Sequence, residues 1–125
     1  MSSIGSGPGR ALIAVYGLFS LAAGARATVQ IATRFGEAPL AYSLSAFAAA
    51  VYVLLTVALW RGARRLVLAA LLVELAGVLI IGTASVLDPA AFPDETVWSV
   101  YGKGYLFIPL VLPLAGLYWL RRQRR

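Results

Sequence analysis

Arginine clusters and short polar turns divide this sequence into four long apolar runs, at about 10–35, 39–60, 66–87 and 105–120. A helix needs about 20 apolar residues to cross a bilayer, so a chain of 125 residues holds four crossings with little left over. Water offers no good home for such a composition. Hydrophobic residues make up 61% of the chain and charged ones 13%, against about 45–50% and 25% in soluble domains. A chain this short has too small an interior to hide the excess. The expected fold is all-α, a polytopic membrane protein with four transmembrane helices in an up-down-up-down bundle.

Charge sets the expected orientation. Of the eleven basic residues, Arg10, Arg61, Arg64, Arg65, Arg121, Arg122, Arg124 and Arg125 fall on one side of this bundle. The other side holds Arg34, Lys103 and four of the five acids, Glu37, Asp88, Asp94 and Glu95. Basic residues at span ends stay in the cytoplasm, so both termini are expected there, in a bacterial inner membrane. The net charge of +6 reads as orientation signal and contact with anionic headgroups, with no nucleic acid as partner. The aromatic residues fit the same frame. Trp60, Tyr118 and Trp119 mark the cytoplasmic edge, and Trp98, Tyr101 and Tyr105 the outer one.

Residues 1–9, rich in Gly, Ser and Pro, form a disordered tail, and 121–125 a basic cytoplasmic one. The stretch 88–104 is an outer interfacial segment. In it Pro93-Asp94-Glu95 starts a short helix with Val97, Trp98 and Tyr101 on one face, and Gly102 and Gly104 stop it. The first run also imitates a secretory signal, with Arg10, the apolar stretch 11–23 and Ala25-Arg26-Ala27 as a cleavage site. Cleavage would leave three spans. The helical pattern continues through Val29, Ile31 and Phe35, which favours an uncleaved first helix.

With no cysteine and no histidine, thiol chemistry, imidazole metal sites and histidine-based nucleophiles are excluded. Phosphate loops, dinucleotide fingerprints and nucleophile elbows are absent from the sequence as well. No enzyme activity, cofactor or metal is therefore expected.

The candidate site is a set of polar residues inside the spans: Glu74, Arg26, Gln30 and Arg34. Glu74 falls near the middle of the third run, where an ionised carboxylate is expensive. Its helical face carries Ala70, Gly77, Gly82 and Ser85, a small stripe suited to close helix packing. Arg26, Gln30 and Arg34 recur at i, i+4 and i+8 on the first helix, with Thr33 and Glu37 nearby. They form either a cationic lining for an anionic substrate or headgroup, or arginines that extend their heads to the outer interface. Arg26 and Glu74 differ in depth by about 9 Å, a gap that two long side chains nearly close. The second run carries Tyr42, Ser43, Ser45, Tyr52 and Thr56 and the small ladder Ala41, Ser45 and Ala49, read as helix packing. In the fourth run, Pro109 and Pro113 free the carbonyls of Tyr105 and Pro109 and predict kinks.

The stretch QIATRFGEAPLAYSLSAFAAAVY from Gln30 to Tyr52, together with Val86-Leu87-Asp88-Pro89 and the VWSVYGKGYLFIPLVLPLAGLYWL block, resembles a family of small four-helix integral membrane proteins from high-GC bacteria. That resemblance implies the topology and no activity. The chain is like the small multidrug exporters in size only, because it lacks an acid in the first span and has a strong orientation bias. It also lacks the cysteines of quinone-linked thiol oxidoreductases. The leading expectation is a non-enzymatic accessory or structural subunit that acts through helix contacts in a homo- or hetero-oligomer. The alternatives are a small transporter or channel with Glu74 and Arg26 in its pathway, and a lipid- or quinone-binding membrane protein.

Overall fold

A computed structural model describes residues 7–92, 96 and 98–122, and among these it is all-helical, with no strand. Helix α1 runs Gly7–Arg34, α2 Pro39–Arg61, α3 Arg64–Leu87 and α4 Ile108–Arg122. Single 3-10 turns at Phe35–Glu37 and Pro89–Ala91 and a longer irregular one at Ser99–Tyr105 complete the chain.

The boundaries follow from local chemistry. Pro39 opens α2, where its missing N–H costs nothing. Gly62 closes it in the left-handed conformation (φ 70°), and the Ala63 N–H returns to the Ala58 carbonyl at 3.0 Å, the bond that seals a helix end of this kind. Two residues therefore suffice to reverse the chain into α3. Pro89 follows the last helical turn of α3, where it cannot continue the helix. Helix α1 begins at Gly7, three residues earlier than expected, because Pro8 in a first turn is compatible with helix. Residues 1–6, the helix start expected at Pro93-Asp94-Glu95, Val97, and residues 123–125 of the basic tail lie outside the described residues.

Neighbours in sequence are neighbours in space: α1 packs along α2, α2 along α3, and α3 along α4, while α1 and α4 barely touch. One core joins them, with Tyr16 and Phe19 from α1, Tyr52, Leu55 and Leu59 from α2, Leu71 and Val78 from α3, and Leu112 and Leu120 from α4. Around it, Leu21, Trp60, Leu72, Ile80 and Leu87 face outward. A perimeter this apolar suits lipid rather than water. Helices α1, α2 and α3 are long and apolar enough to cross a membrane, and α4 joins them if it is counted together with Ser99–Tyr105, from which it is bent by 98°. Alone, the 15 residues of α4 reach about 22 Å, short of a hydrocarbon core of about 30 Å.

The basic residues at the start of α1, the α2–α3 turn and the end of α4 gather at one end of the bundle. Arg64 Nη1 donates to the Leu120 carbonyl at 2.9 Å, which neutralises an open carbonyl in the last turn of α4.

The segment expected to lie flat at the outer interface behaves differently. Trp98 is 1% exposed, inside the bundle. Its ring lies against Gly77, ten residues short of the end of α3, or about 15 Å down that helix. The kinks expected in the fourth run are relocated too. Pro109 sits in the first turn of α4, and the break falls before it, between Tyr105 and Ile108. Pro113 remains inside the helix.

Candidate functional site

Glu74 is fully buried, and Tyr16 donates its phenolic O–H to Glu74 Oε1 at 2.6 Å. Helices α1 and α3 run the same way from the basic end. Tyr16 lies nine residues into the first and Glu74 ten into the second, so the two reach the same depth. The other carboxyl oxygen, Oε2, has no hydrogen-bond partner. Tyr52 of α2 stands next to this pair, its ring centroid 6.0 Å from that of Tyr16, and accepts the indole N–H of Trp98 at 2.9 Å. Phe19 fills the space between Tyr52 and Tyr105, with centroids 5.6 Å and 5.5 Å away. The carboxyl is thus walled by aromatic rings, in surroundings that amplify every electrostatic interaction.

The small stripe beside Glu74 has a specific occupant. A Cβ placed on Gly77 would stand 2.5 Å from the Trp98 ring, and one on Gly82 would overlap Tyr101. Ser85, next along the stripe, accepts the Val100 N–H at 2.8 Å and donates to the Gly82 carbonyl at 2.9 Å. Close packing occurs on this face as the sequence implies, but against the rings of the 98–101 segment. Local bonds aim those rings. Thr96 Oγ1 accepts the Trp98 N–H at 3.1 Å, and Ser99 Oγ accepts the Thr96 N–H at 2.9 Å. Beyond them Val100, Tyr101 and Gly102 all take positive φ.

Arg26, Gln30 and Arg34 do share one face of α1, as their spacing requires, and they line a cavity of about 430 Å³ with Ala25 and Val29. Arg26 is half-buried, and its Nη1 lies 3.5 Å from the Tyr105 hydroxyl. Gln30 is only 2% exposed, and its Oε1 has no partner. Arg34 is exposed at the end of the helix, as are Thr33 and Glu37. Glu74 does not join this group. Tyr16 supplies its one hydrogen bond, so the bridge to Arg26 does not form, and the four candidates divide into a deep carboxyl–tyrosine pair and an arginine–glutamine face near the far end of α1.

The α2 residues divide in the same manner. Ala41, Ser45 and Ala49 are buried, and Thr56 returns its hydroxyl to the Tyr52 carbonyl at 2.8 Å while lying 3.2 Å from Ser20 of α1. Tyr42 packs with Ala38, Ala41 and Phe92, and Ser43 faces outward. Two further cavities lie on the flanks of α1. One, of about 610 Å³, is lined by residues of α1 and α4 that include Leu12, Trp119 and Arg122. The other, of about 420 Å³, lies between α1 and α2 and is lined by Gly24, Ala27, Thr28, Ile31, Ala32, Ala46 and Ala49. Glu74 lines none of these three cavities.

Tyr16 and Trp98 are the two participants that sequence reasoning missed. The depth match of Tyr16 with Glu74 was available from the helix starts. A tryptophan in a polar connection, by contrast, ordinarily marks an interface, and nothing local separates that case from a buried one. The chain matches no protein-family model, no curated protein and no solved structure.

Proposed function

We propose that this chain is a non-enzymatic accessory or structural subunit of a bacterial cytoplasmic membrane, crossing it four times with both termini inside and acting through contacts with another transmembrane helix. In this reading the bent segment 99–122 is the fourth crossing. The basic residues at the α1 start, the α2–α3 turn and the α4 end support the orientation.

The observation that carries the reading is the groove between α1 and α2. Gly24, Thr28 and Ala32 recur at i, i+4 and i+8 along its wall, with Ala46 and Ala49 opposite, and Thr28 folds its hydroxyl back onto the Gly24 carbonyl at 2.7 Å. Small residues let helix backbones approach closely in lipid, where dispersion and not water drives association. The transporter reading lacks comparable support, since Glu74 is enclosed by aromatic rings and spends its bond on Tyr16. Among the described residues, enzyme chemistry lacks an acid, base and nucleophile in one place.

Gly24 makes the test clean, because a Cβ there meets nothing within 4 Å. Native mass spectrometry after gentle extraction should show an oligomer or a heteromeric complex. Gly24→Leu should dissociate that complex without lowering the melting temperature of the monomer, since a glycine in a helix interior favours the fold less than leucine does. A wild-type chain that is always monomeric, or that carries solute flux in liposomes, would refute the proposal.

A further inference from the structure

The helix-contact reading leaves the cavity between α1 and α4 unused. These two helices barely touch, and the small side chains of Ala11 on one and Ala115 on the other leave a space of about 610 Å³ at the basic end of the bundle, within the range of small-molecule sites. Along α4 it runs from Arg122 back to Ala115, about 10 Å towards the middle of the bundle. Its deeper wall is apolar, with Leu12 and Val15 of α1. Arg122 stands at the mouth. It is exposed, and its Nη1 donates to the Tyr118 hydroxyl at 3.2 Å, with the guanidinium 5.8 Å from the centre of that ring. Tyr118 takes one N–H, and the rest of the planar fork suits an anion. Arg10, next to Ala11, and Arg121 are exposed at the same end. Among the described residues no acid shares it, since Glu37 and Asp88 lie at the opposite end and Glu74 halfway along α3. One polar group in the wall is unmet. Trp119 is 6% exposed, and its indole N–H finds no acceptor among the described residues.

We infer that the cavity between α1 and α4 holds one molecule of an anionic glycerophospholipid, with its phosphate at Arg122 and an acyl chain along Leu12, Val15 and Ala115. The sign of the charge selects the headgroup, because three arginines and no acid surround the mouth, and a guanidinium matches phosphate oxygens with paired donors. The apolar depth selects the chain. Trp119 lies three residues, about 4.5 Å, deeper than Arg122 on the same side of α4. In a glycerolipid the ester carbonyls lie below the phosphate in the same sense, so one of them meets the indole N–H. A soluble phosphate would leave the apolar walls uncovered, and a neighbouring apolar helix would bring no anion to Arg122. Basic pockets between helices on the cytoplasmic side hold anionic headgroups in this way, and that is the side on which the proposed orientation puts Arg122.

The probes are phosphatidylglycerol and phosphatidylcholine with identical acyl chains, each titrated onto the delipidated full-length protein. Native mass spectrometry counts the retained lipids, and the shift in melting temperature reports binding. One phosphatidylglycerol should be retained per chain in preference to phosphatidylcholine, whose choline cation the arginines repel. Arg122→Gln should weaken its binding about tenfold, as expected for a lost charged hydrogen bond. Arg121→Gln removes the same charge from an exposed neighbour that does not line the cavity, and should weaken it far less. Ala115→Phe fills the space from an exposed position and should abolish retention while the protein still melts cooperatively. Equal retention of the two lipids, or equal losses in Arg122→Gln and Arg121→Gln, would reveal a diffuse basic surface and overturn the inference. Undiminished lipid binding in Ala115→Phe overturns it too, and an oligomer lost in that variant would assign the cavity to a neighbouring helix. Each of these failures leaves the Gly24 groove untouched, because Gly24→Leu alters a separate surface and should keep the lipid.

Discussion

A carboxyl and a phenol at equal depth in two parallel helices make each other affordable in the core. Remove Tyr16 alone and the buried Glu74 loses its one hydrogen bond, whereas removing both polar groups leaves nothing unmet. Unpaired buried groups cost more than absent ones, so the variants should rank accordingly. Glu74→Gln keeps an acceptor of similar shape and should assemble and unfold like the parent. Glu74→Leu should cost about 1 kcal/mol, the usual worth of a polar contact between membrane helices. Tyr16→Phe should cost more, and Tyr16→Phe/Glu74→Leu should recover part of that loss. Unfolding in mixed micelles measures all four, and strictly additive losses would show that the two side chains do not act as a pair. Glu74 and the arginine face were legible because charged and amide groups stand out in apolar runs. Their partition was not, since it depends on which tyrosine lies nearest in three dimensions.

At the scale of elements, the apolar runs locate three helices within about three residues of where they lie, because hydrocarbon length and glycine and proline punctuation act on the chain directly. The fourth run is where this reasoning fails. The segment before it is drawn into the bundle by Trp98 and Tyr101, which seat on Gly77 and Gly82, and the helix resumes only after a bend of 98°. That bend stores strain, for Leu106 and Phe107 both have φ near 60°. Leu106 is 83% exposed, so its side chain contributes little packing. An L-residue pays about 1–2 kcal/mol for this conformation that glycine does not. Leu106→Gly should therefore stabilise the fold by up to about 1 kcal/mol after the extra flexibility glycine gives the unfolded chain. A lower melting temperature would mean that the turn is not built this way. Gly77→Ala tests the seat itself. Its added methyl meets the indole ring, and crowding of this kind costs about 1–3 kcal/mol. It should also raise the protease sensitivity of the 98–105 segment.

For the molecule as a whole, two partitions of the chain compete, four crossings or three after loss of the first helix, and they make opposite structural demands. Helix α1 runs unbroken through Ala25-Arg26-Ala27 to Arg34, and Ala23 and Ala27 are buried. A cut after Ala27 would remove Tyr16 and Phe19 from the core, strip Glu74 of its only donor and leave the apolar inner face of α2 without its cover. The four-span proposal therefore retains α1, and these contacts support it. The mass of the intact protein should include residues 1–27, and a product starting at Thr28 would defeat the four-span proposal. Orientation is decided separately. If basic residues stay inside, reporter fusions at residue 63 and at the C-terminus should report cytoplasm, and a fusion at residue 92 the outside. The fusion at 92 is the demanding one. It lies between α3 and the segment that dips back towards Gly77, so an outside signal there together with an inside signal at the C-terminus requires the bent 99–122 segment to complete a crossing. An inside signal at residue 92 with arginines inside at residue 63 would instead mean that α3 does not cross. An outside C-terminus would make the 99–122 segment re-entrant, with three crossings in all.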